Sequence, residues 1–358
     1  MNKKALIAMS GGVDSTVAAY LMIAGGFDCI GATMKLFDAG NGDHLVQHKE
    51  KSCCALNDVN DARDAAYRLK IPHYVLNLSE QFKEKVINKF IQVYENGGTP
   101  NPCIDCNRYL KFNRLLIYSH QLEYDYLVTG HYANIENTNG RFLLKKSVDE
   151  KKDQSYVLYA MTQEQLAHTI FPLGNMTKEN VRKIAKEQGF INAAKQDSQD
   201  ICFVPDGDYG AFLERYTKKH YPPGNIIDPC GNVLGRHKGL VRYTIGQRRG
   251  LGVSSAQPLY VSGKSVVDNT VTLASGDLLF SKSLTADDIN LISVPKIERP
   301  MRVKVKTRYL QKEQPAVVEQ IAPCKLRIDF DGPQRAITPG QAAVLYDGEY
   351  VVGGGTIT

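Results

Sequence analysis

Ser10-Gly11-Gly12-Val13-Asp14-Ser15 separates two kinds of sequence. Before it, Ala5-Leu6-Ile7-Ala8-Met9 is a short apolar run that predicts a strand. After it, Thr16 to Ala24 carries apolar residues at helical spacing. The glycines therefore fall at a strand-to-helix turn, where the lack of a Cβ lets the backbone reverse tightly. The helix that follows opens with unpaired N–H groups and the positive end of its dipole, and Ser10 and Ser15 add hydroxyl donors. Such a turn suits a phosphate. It lacks the lysine of the common nucleotide loop, since Val13 and Asp14 follow the second glycine. A carboxylate there repels phosphate unless a metal bridges the two.

The chain has 358 residues, enough for two or three domains and a sizeable core. With 43% hydrophobic and 23% charged residues it has an ordinary soluble, globular composition. No apolar run approaches the ~18 residues needed to cross a bilayer. The short run after Lys3 and Lys4 is broken by Ser10-Gly11-Gly12 before it could act as a signal peptide. The expectation is a cytoplasmic protein with no membrane partner. A net charge of +6 permits a nucleic-acid partner without requiring one. Eight cysteines in a cytosolic chain of this length are no disulfide scaffold, so their positions matter more than their number.

Outward from the glycine turn, strands and helices alternate. Cys29 to Leu36, Tyr74 to Leu78 and Tyr126 to Thr129 read as strands, and Asn57 to Leu69 and Asn107 to Gln121 as helices. Ser79 is placed to cap a further helix with Phe82, Val86, Phe90 and Val93 on one face. Repeated βα units predict a doubly wound parallel sheet. Ligands of such sheets bind at the carboxyl ends of the strands, where the glycine turn and Gly130-His131 both fall. Asn139-Gly140 predicts a hairpin, and Thr177 to Gly189 a charged helix. After Pro205 the pattern changes. Pro222-Pro223-Gly224 punctuates the chain, and Val- and Ile-rich runs follow, separated by Asp268-Asn269, Asp331-Gly332 and Asp347-Gly348. The fold class is α/β. Residues 1–205 make the sheet domain with a helical extension, 206–279 a small β-rich central domain, and 280–358 a C-terminal β-barrel.

Thr99-Pro100-Asn101-Pro102-Cys103-Ile104-Asp105-Cys106-Asn107 follows Gly97-Gly98, and its prolines predict a rigid, non-helical loop. It presents two cysteines just before a helix, where a thiol has a lowered pKa. A third cysteine stands in Asp200-Ile201-Cys202-Phe203. A structural zinc site requires a second closely spaced pair. Cys53-Cys54 is adjacent and poorly spaced for one ion. On the residues alone, sulfur chemistry and inert burial both stay open.

Ser-Gly-Gly-x-Asp-Ser resembles the PP-loop of the ATP pyrophosphatase superfamily. Thr99-Pro100-Asn101-Pro102 with Cys106-Asn107, Thr129-Gly130-His131-Tyr132, Lys152-Asp153-Gln154-Ser155-Tyr156 and Asp200-Ile201-Cys202-Phe203 follow it in that order. Tyr243 to Arg248, Lys306 to Tyr309 and Pro339-Gly340-Gln341 extend the match. Over nearly its whole length the chain resembles the bacterial tRNA-specific 2-thiouridylase family. The resemblance implies an adenine nucleotide alpha hydrolase-like PP-loop domain, with ATP and Mg²⁺ as cofactors. Its implied partners are tRNA and a sulfur-relay protein that donates a persulfide, and the implied state is a monomer. ATP would activate the 2-oxygen of the wobble uridine as an adenylate, Cys202 would carry the persulfide, and Cys106 would resolve it. Ala8, Met9, Ser10, Gly11, Gly12, Val13, Asp14 and Ser15 would hold the phosphates, with Met34 on the adenine and Gly130 admitting the nucleotide. His131 would touch the adenylate or the tRNA. Asn101, Pro102 and Cys103 would contact the flipped base, with Lys152, Asp153, Gln154, Arg308, Tyr309 and Gln341 also on the tRNA side. One departure stands out: Cys103 occupies a position where family members carry Asp, and Asp105 lies two residues on. That opens a second arrangement, with Cys103, Cys106 and Cys202 as three ligands of a [4Fe–4S] cluster.

The RNA surface also has a signal of its own. Pro229 to Val267 contains no Asp or Glu, yet it carries Arg236, Lys238, Arg242, Arg248, Arg249 and Lys264. Arg302, Lys304, Lys306 and Arg308 alternate with Val303, Val305 and Thr307. On a strand this puts four cations on one face, suited to a phosphate backbone. Two other functions account for less of the chain. A PP-loop synthetase acting on a small molecule needs neither three distant cysteines nor an acid-free basic stretch. An RNA-binding module with a vestigial nucleotide site has no use for Asp14, Ser15 and Cys106.

Overall fold

The computed structural model describes residues 3–37, 56–196 and 201–358, so Cys53, Cys54 and Asp200 lie outside the described residues. The first part of the chain contains β1 (Lys4–Ala8), β2 (Asp28–Lys35), β3 (His73–Asn77), β4 (Tyr126–Val128), the hairpin β5 (Asn134–Thr138) and β6 (Arg141–Lys145), and β7 (Thr169–Ile170). Five of these form one parallel sheet in the order β3-β2-β1-β4-β7. The order reverses between β1 and β4, which makes the crevice beyond their carboxyl ends the topological switch point. The Ser10–Ser15 turn leaves β1 and Gly130-His131 leaves β4, so both open on that crevice.

Alternate strand residues feed two cores, as a period of two requires. Leu6, Ile30, Ala32 and Leu127 pack on one face with Phe82, Phe90, Leu110 and Phe112. Ala5, Ile7, Cys29 and Val128 pack on the other with Val17, Ala18, Val181 and Ala185. Helices thus cover both faces, as the doubly wound reading expects.

Three local details differ from the sequence expectations. Ser79 is the first residue of its helix, behind the N-cap Leu78, and its hydroxyl bonds Asn77 Oδ1 at 2.8 Å. The proline-rich stretch turns helical early, because Pro102 takes the first helical position, where a missing N–H costs nothing. Residues 102–121 then run as one helix with a π-helical stretch, Cys106–Arg114, so Cys103 and Cys106 lie within it. Finally, Tyr209–Thr217 is helical where the sequence pattern predicts no element. Its Phe212 and Leu213 join the first core beside Phe203. The charged helix Lys178–Glu187 is as expected, with Thr177 capping it and Gly189 following at φ +65°.

The central part is a four-stranded sheet of β8 (Gly224–Ile227), β9 (Val233–His237), β10 (Tyr260–Ser265) and β11 (Thr270–Ala274), in the order β10-β11-β8-β9. The last part contains β12 (Phe280–Leu291), β13 (Met301–Lys306), β14 (Gln314–Ala322), β15 (Lys325–Arg335), β16 (Ala342–Asp347) and β17 (Tyr350–Ile357). Their order, β12-β15-β14-β13-β16-β17, closes into a barrel through pairing of β12 with β17. The β5–β6 hairpin joins the same sheet at β17, where Tyr350 faces Lys145. Among the described residues no helix is long and apolar enough to cross a membrane.

Phe203 ties the segment after Cys202 to this frame. Its ring lies 5.7 Å from Phe82, 5.0 Å from Phe90 and 5.3 Å from Phe212. Truncating a buried ring of this kind costs about 3–5 kcal/mol. Phe203→Ala is therefore expected to lower the unfolding free energy by that amount, read as a lower urea midpoint with an unchanged denaturant slope.

Candidate active site

The glycine turn is locked from both sides. Gly11 sits at φ +74°, and a Cβ there would stand 2.3 Å from the Asp58 carbonyl oxygen. Ser15 Oγ donates to the Gly12 carbonyl at 3.0 Å and accepts from the Ser10 N–H at 3.2 Å. Behind the turn, Asn192 Nδ2 donates to the Gly11 carbonyl at 3.2 Å and to Thr16 Oγ1 at 2.8 Å. Lys195 binds Asp58 at 2.6 Å and Asp61 at 2.5 Å. In front, a Cβ on Gly130 would meet Asp14 C at 2.7 Å and Ser15 N at 2.8 Å. Only glycine lets the β4 loop come this close. Ala8 and Met34 pack against the first core, while Met9 and Val13 are buried in the second.

Asp14 is not a bare charge. Lys178 Nζ donates to its two carboxylate oxygens at 2.8 and 2.7 Å, and the Tyr132 hydroxyl donates at 2.8 Å. The lysine missing from the turn is thus supplied by the first residue of the Lys178–Glu187 helix. This pair offsets the Asp14 charge from within the chain. The residues do not build a Mg²⁺ cage by themselves. Among the described residues there is no group of three or more His, Cys, Asp or Glu side chains able to hold a metal ion. The [4Fe–4S] ligand set of Cys103, Cys106 and Cys202 is accordingly not assembled.

Cys103 is exposed, while Cys106 and Cys202 are half-buried against the same first core as Ala8 and Met34. Asp105, between the two helix cysteines, is buried and bonded to Lys89 at 2.7 Å. Burial nevertheless pushes its carboxyl above the usual range, with Lys89 pulling the other way. Arg108 forks onto Asp288 of β12 at 2.5 and 3.1 Å.

Three family models together match most of the chain. A tRNA methyl transferase HUP domain matches residues 3–206, a tRNA methyl transferase PRC-barrel domain 210–275, and an aminomethyltransferase beta-barrel domain 281–357. Among individual proteins, tRNA-specific 2-thiouridylase MnmA of Clostridioides difficile is 50% identical over 100% of this chain and 98% of its own length. The Acetivibrio thermocellus protein of the same name is 50% identical over 99% of each chain. The Clostridium acetobutylicum one is 47% identical over 100% of each. The chain belongs to the tRNA-specific 2-thiouridylase family.

Several residues expected to face substrate in a 2-thiouridylase are turned inward here. The His131 ring is buried between Phe112 and Phe171, at 5.6 and 5.8 Å, and shares a 2.6 Å hydrogen bond with Thr129 Oγ1. Burial pulls its pKa far below the ordinary value, helped by Lys111. Asp153 accepts from Ser147 N–H at 3.0 Å and from Ser155 Oγ at 2.7 Å, and is buried. Gln154 Oε1 accepts from the Tyr132 N–H at 2.9 Å, which seats the tyrosine that reaches Asp14. Lys152 is half-buried beside them. Gln341 Nε2 donates to the carbonyls of Thr99 and Pro100 at 2.9 and 3.2 Å. Asn101 is the N-cap of the cysteine helix and Pro102 is buried. Tyr309, by contrast, stays exposed, with its ring edge-on to Tyr156 at 6.0 Å.

The basic surfaces shrink in the same way. β13 alternates as expected, with Arg302 and Lys304 exposed and Val303 and Val305 buried. However, Arg302 forks onto Asp331, and the strand ends at Lys306. Arg308 therefore lies beyond it, donating to the Ala336 carbonyl at 2.5 Å. In the central part, Arg242 pairs with Asp208 and Glu214. Lys264 turns inward to the Tyr243 carbonyl at 2.8 Å. Arg236, Lys238, Arg248 and Arg249 stay exposed.

The pattern analysis missed Lys178, Tyr132, Asn192 and Lys195 as parts of the site. One signal was available for Lys178: a cation at the first helical position opposes the macrodipole and asks for an external partner.

Two outcomes are expected from this geometry. Lys178→Gln leaves Asp14 uncompensated beside the phosphate site, at a cost of ~1–4 kcal/mol. The KM for ATP in pyrophosphate exchange should rise about tenfold or more; an unchanged KM removes Lys178 from the site. The second outcome concerns Lys264, whose pKa burial lowers from 10.5 to about 8. Between those values the unfolded chain binds the extra proton, so folding is favoured as pH rises. The melting temperature of the wild type, relative to Lys264→Met, should climb from pH 8 to pH 10; a flat difference would contradict the burial of the ammonium.

Proposed function

We propose that this protein is an ATP-dependent tRNA-uridine 2-sulfurtransferase, which replaces the 2-oxygen of the wobble uridine with sulfur. The observation that carries the reading is identity of 47–50% over the full length to proteins named tRNA-specific 2-thiouridylase. The phosphate turn at the switch point and the two half-buried cysteines on one core agree with it.

In this reading the Ser10–Ser15 turn grips the phosphates of ATP with backbone N–H groups and the Ser10 and Ser15 hydroxyls. Lys178 and Tyr132 hold Asp14 so that its charge does not oppose the anion. Mg²⁺, when bound, would neutralise phosphate charge, with Asp14 as the nearest carboxylate of the turn. The uridine 2-oxygen attacks the α-phosphorus and pyrophosphate leaves, which converts a poor leaving group into AMP. The terminal persulfide sulfur on Cys202 attacks the activated carbon, and AMP departs. The Cys106 thiolate then attacks Cys202 Sγ. The sulfur–sulfur bond to the base breaks, its electron pair stays on the base sulfur, and a Cys106–Cys202 disulfide forms. A dithiol reductant and a persulfide-donor protein reset the cycle. Residues 1–205 carry this chemistry, while 206–279 and the 280–358 barrel serve the tRNA, with Arg248 and Arg249 on its phosphates.

The test is thiolation of a tRNA transcript by the purified chain with ATP and a persulfide donor, read as 2-thiouridine by mass spectrometry. Cys202→Ser and Cys106→Ser should each abolish 2-thiouridine and retain tRNA affinity within about twofold. Thiolation persisting in Cys202→Ser would sink the sulfur assignment. Pyrophosphate exchange without any need for tRNA would favour a small-molecule synthetase.

A further inference from the structure

We propose that the C-terminal barrel holds the cysteine helix in place for sulfur transfer, with Gln341 and Asp288 as positioning residues. The proposal rests on the sulfurtransferase reading above and gives the barrel a role beyond RNA contact.

The barrel grips the helix at two points that flank both cysteines. Ahead of Cys103, the Thr99 N–H donates to the Pro339 carbonyl at 2.9 Å. Gln341 Nε2 closes the same joint with bonds of 2.9 Å to the Thr99 carbonyl and 3.2 Å to that of Pro100. The two backbones abut at Gly98 and Gly340, with the Val93 side chain packed against both glycines. A Cβ on Gly340, which sits at φ +89°, would stand 2.9 Å from the Thr99 oxygen. A Cβ on Gly98 would stand 3.2 Å from the Pro339 oxygen. Thr99 Oγ1 is buried in this joint with no hydrogen-bond partner among the described residues. The loop is therefore held by its backbone, at the expense of its own hydroxyl.

Behind Cys106, Arg108 forks onto Asp288 at 2.5 and 3.1 Å. Asp288 lies at φ +50°, where the β12–β17 register shifts between Asp287 and Asn290. Irregularities of this kind re-aim a side chain, and left-handed backbone held by a non-glycine residue collects at functional positions. One anchor fixes where the helix begins, and the other fixes its rotation two residues past Cys106. Both amide hydrogens of Gln341 are directed to carbonyls of this chain, which leaves it only an acceptor to offer to RNA.

The test uses the full chain with a tRNA transcript, ATP, Mg²⁺ and a chemically generated cysteine persulfide. Gln341→Met removes both donors at similar length. Asp288→Asn removes the charge while keeping a residue that tolerates the left-handed backbone. The turnover for 2-thiouridine should fall about 10- to 100-fold in each, because small misplacements of reacting groups are costly, while the KM for tRNA and the tRNA-dependent pyrophosphate exchange stay within about twofold. The alkylation rate of Cys106, located by mass spectrometry, should shift in both variants. A raised KM for tRNA with turnover kept would make Gln341 an RNA contact and overturn the proposal. Equal loss of exchange and sulfur transfer would mean a general structural role, and unchanged turnover would mean none; either overturns it. If Gln341→Met does not fold, the partly exposed Asp288→Asn site decides alone. A wild-type chain that forms no 2-thiouridine would instead refute the sulfurtransferase reading itself.

Discussion

The ion pair between Asp14 and Lys178 is the constraint on which the nucleotide end depends. A phosphate turn that carries a carboxylate is self-defeating in isolation, because its own charge opposes its ligand. The fold resolves this by bringing a helix 164 positions away to the turn and placing its first residue on the acid. That placement recruits much else. Thr177 caps the helix so that it starts at Lys178, and Gln154 seats Tyr132 as the second donor to Asp14. Arg182 of the same helix holds the carbonyls of Ala193 and Lys195, and so fixes the segment that braces the turn from behind.

The cysteine helix obeys the same logic at the other side of the sheet. A helix entered through two prolines has few local donors with which to fix its start. Its register must come from outside, and here it comes from a barrel turn 241 and 242 positions further along. Asp105 and Asn107 are turned inward, to Lys89 and to the Val157 carbonyl, so the helix is held on its buried side as well. The reacting groups thus sit on elements whose positions are set by distant parts of one chain.

What the sequence made legible was local. The strand–turn–helix at Ser10 to Ser15, the order of βα units, the Asn139-Gly140 hairpin and the charged helix from Thr177 to Gly189 all follow from local patterns, and the structure has them. The cysteine stretch was misjudged at its boundary, because proline was weighed as a helix breaker when at the first helical position it is a helix starter. His131, Asp153 and Gln154 stand in motifs rich in polar residues, yet their side chains satisfy neighbours. No local pattern separates a buried, satisfied polar group from one that meets a ligand. Arg242 and Lys264 make the same point about charge: the acids that neutralise Arg242 lie outside the acid-free stretch, at Asp208 and Glu214. The partners of Gln154, Arg242 and Lys264 lie 21 to 34 positions away in the chain, and topology brings them together.

The β5–β6 hairpin has a bearing on how the chain is made. It is synthesised with the parallel sheet, but its place is on β17, and the contact of Lys146 with the Gly348 carbonyl spans 202 positions. At ribosomal speeds of ~5–20 residues per second, the hairpin waits roughly 10–40 s for its neighbour. During that interval one edge is open to pairing with other nascent chains. The strand nearest that edge ends on Lys145, with Lys146 next and Arg141 at its other end. Charged residues of this kind discourage such pairing. Lys145 and Lys146 later find Glu349 and Glu313, so the guards of the unfinished edge become ties of the finished one.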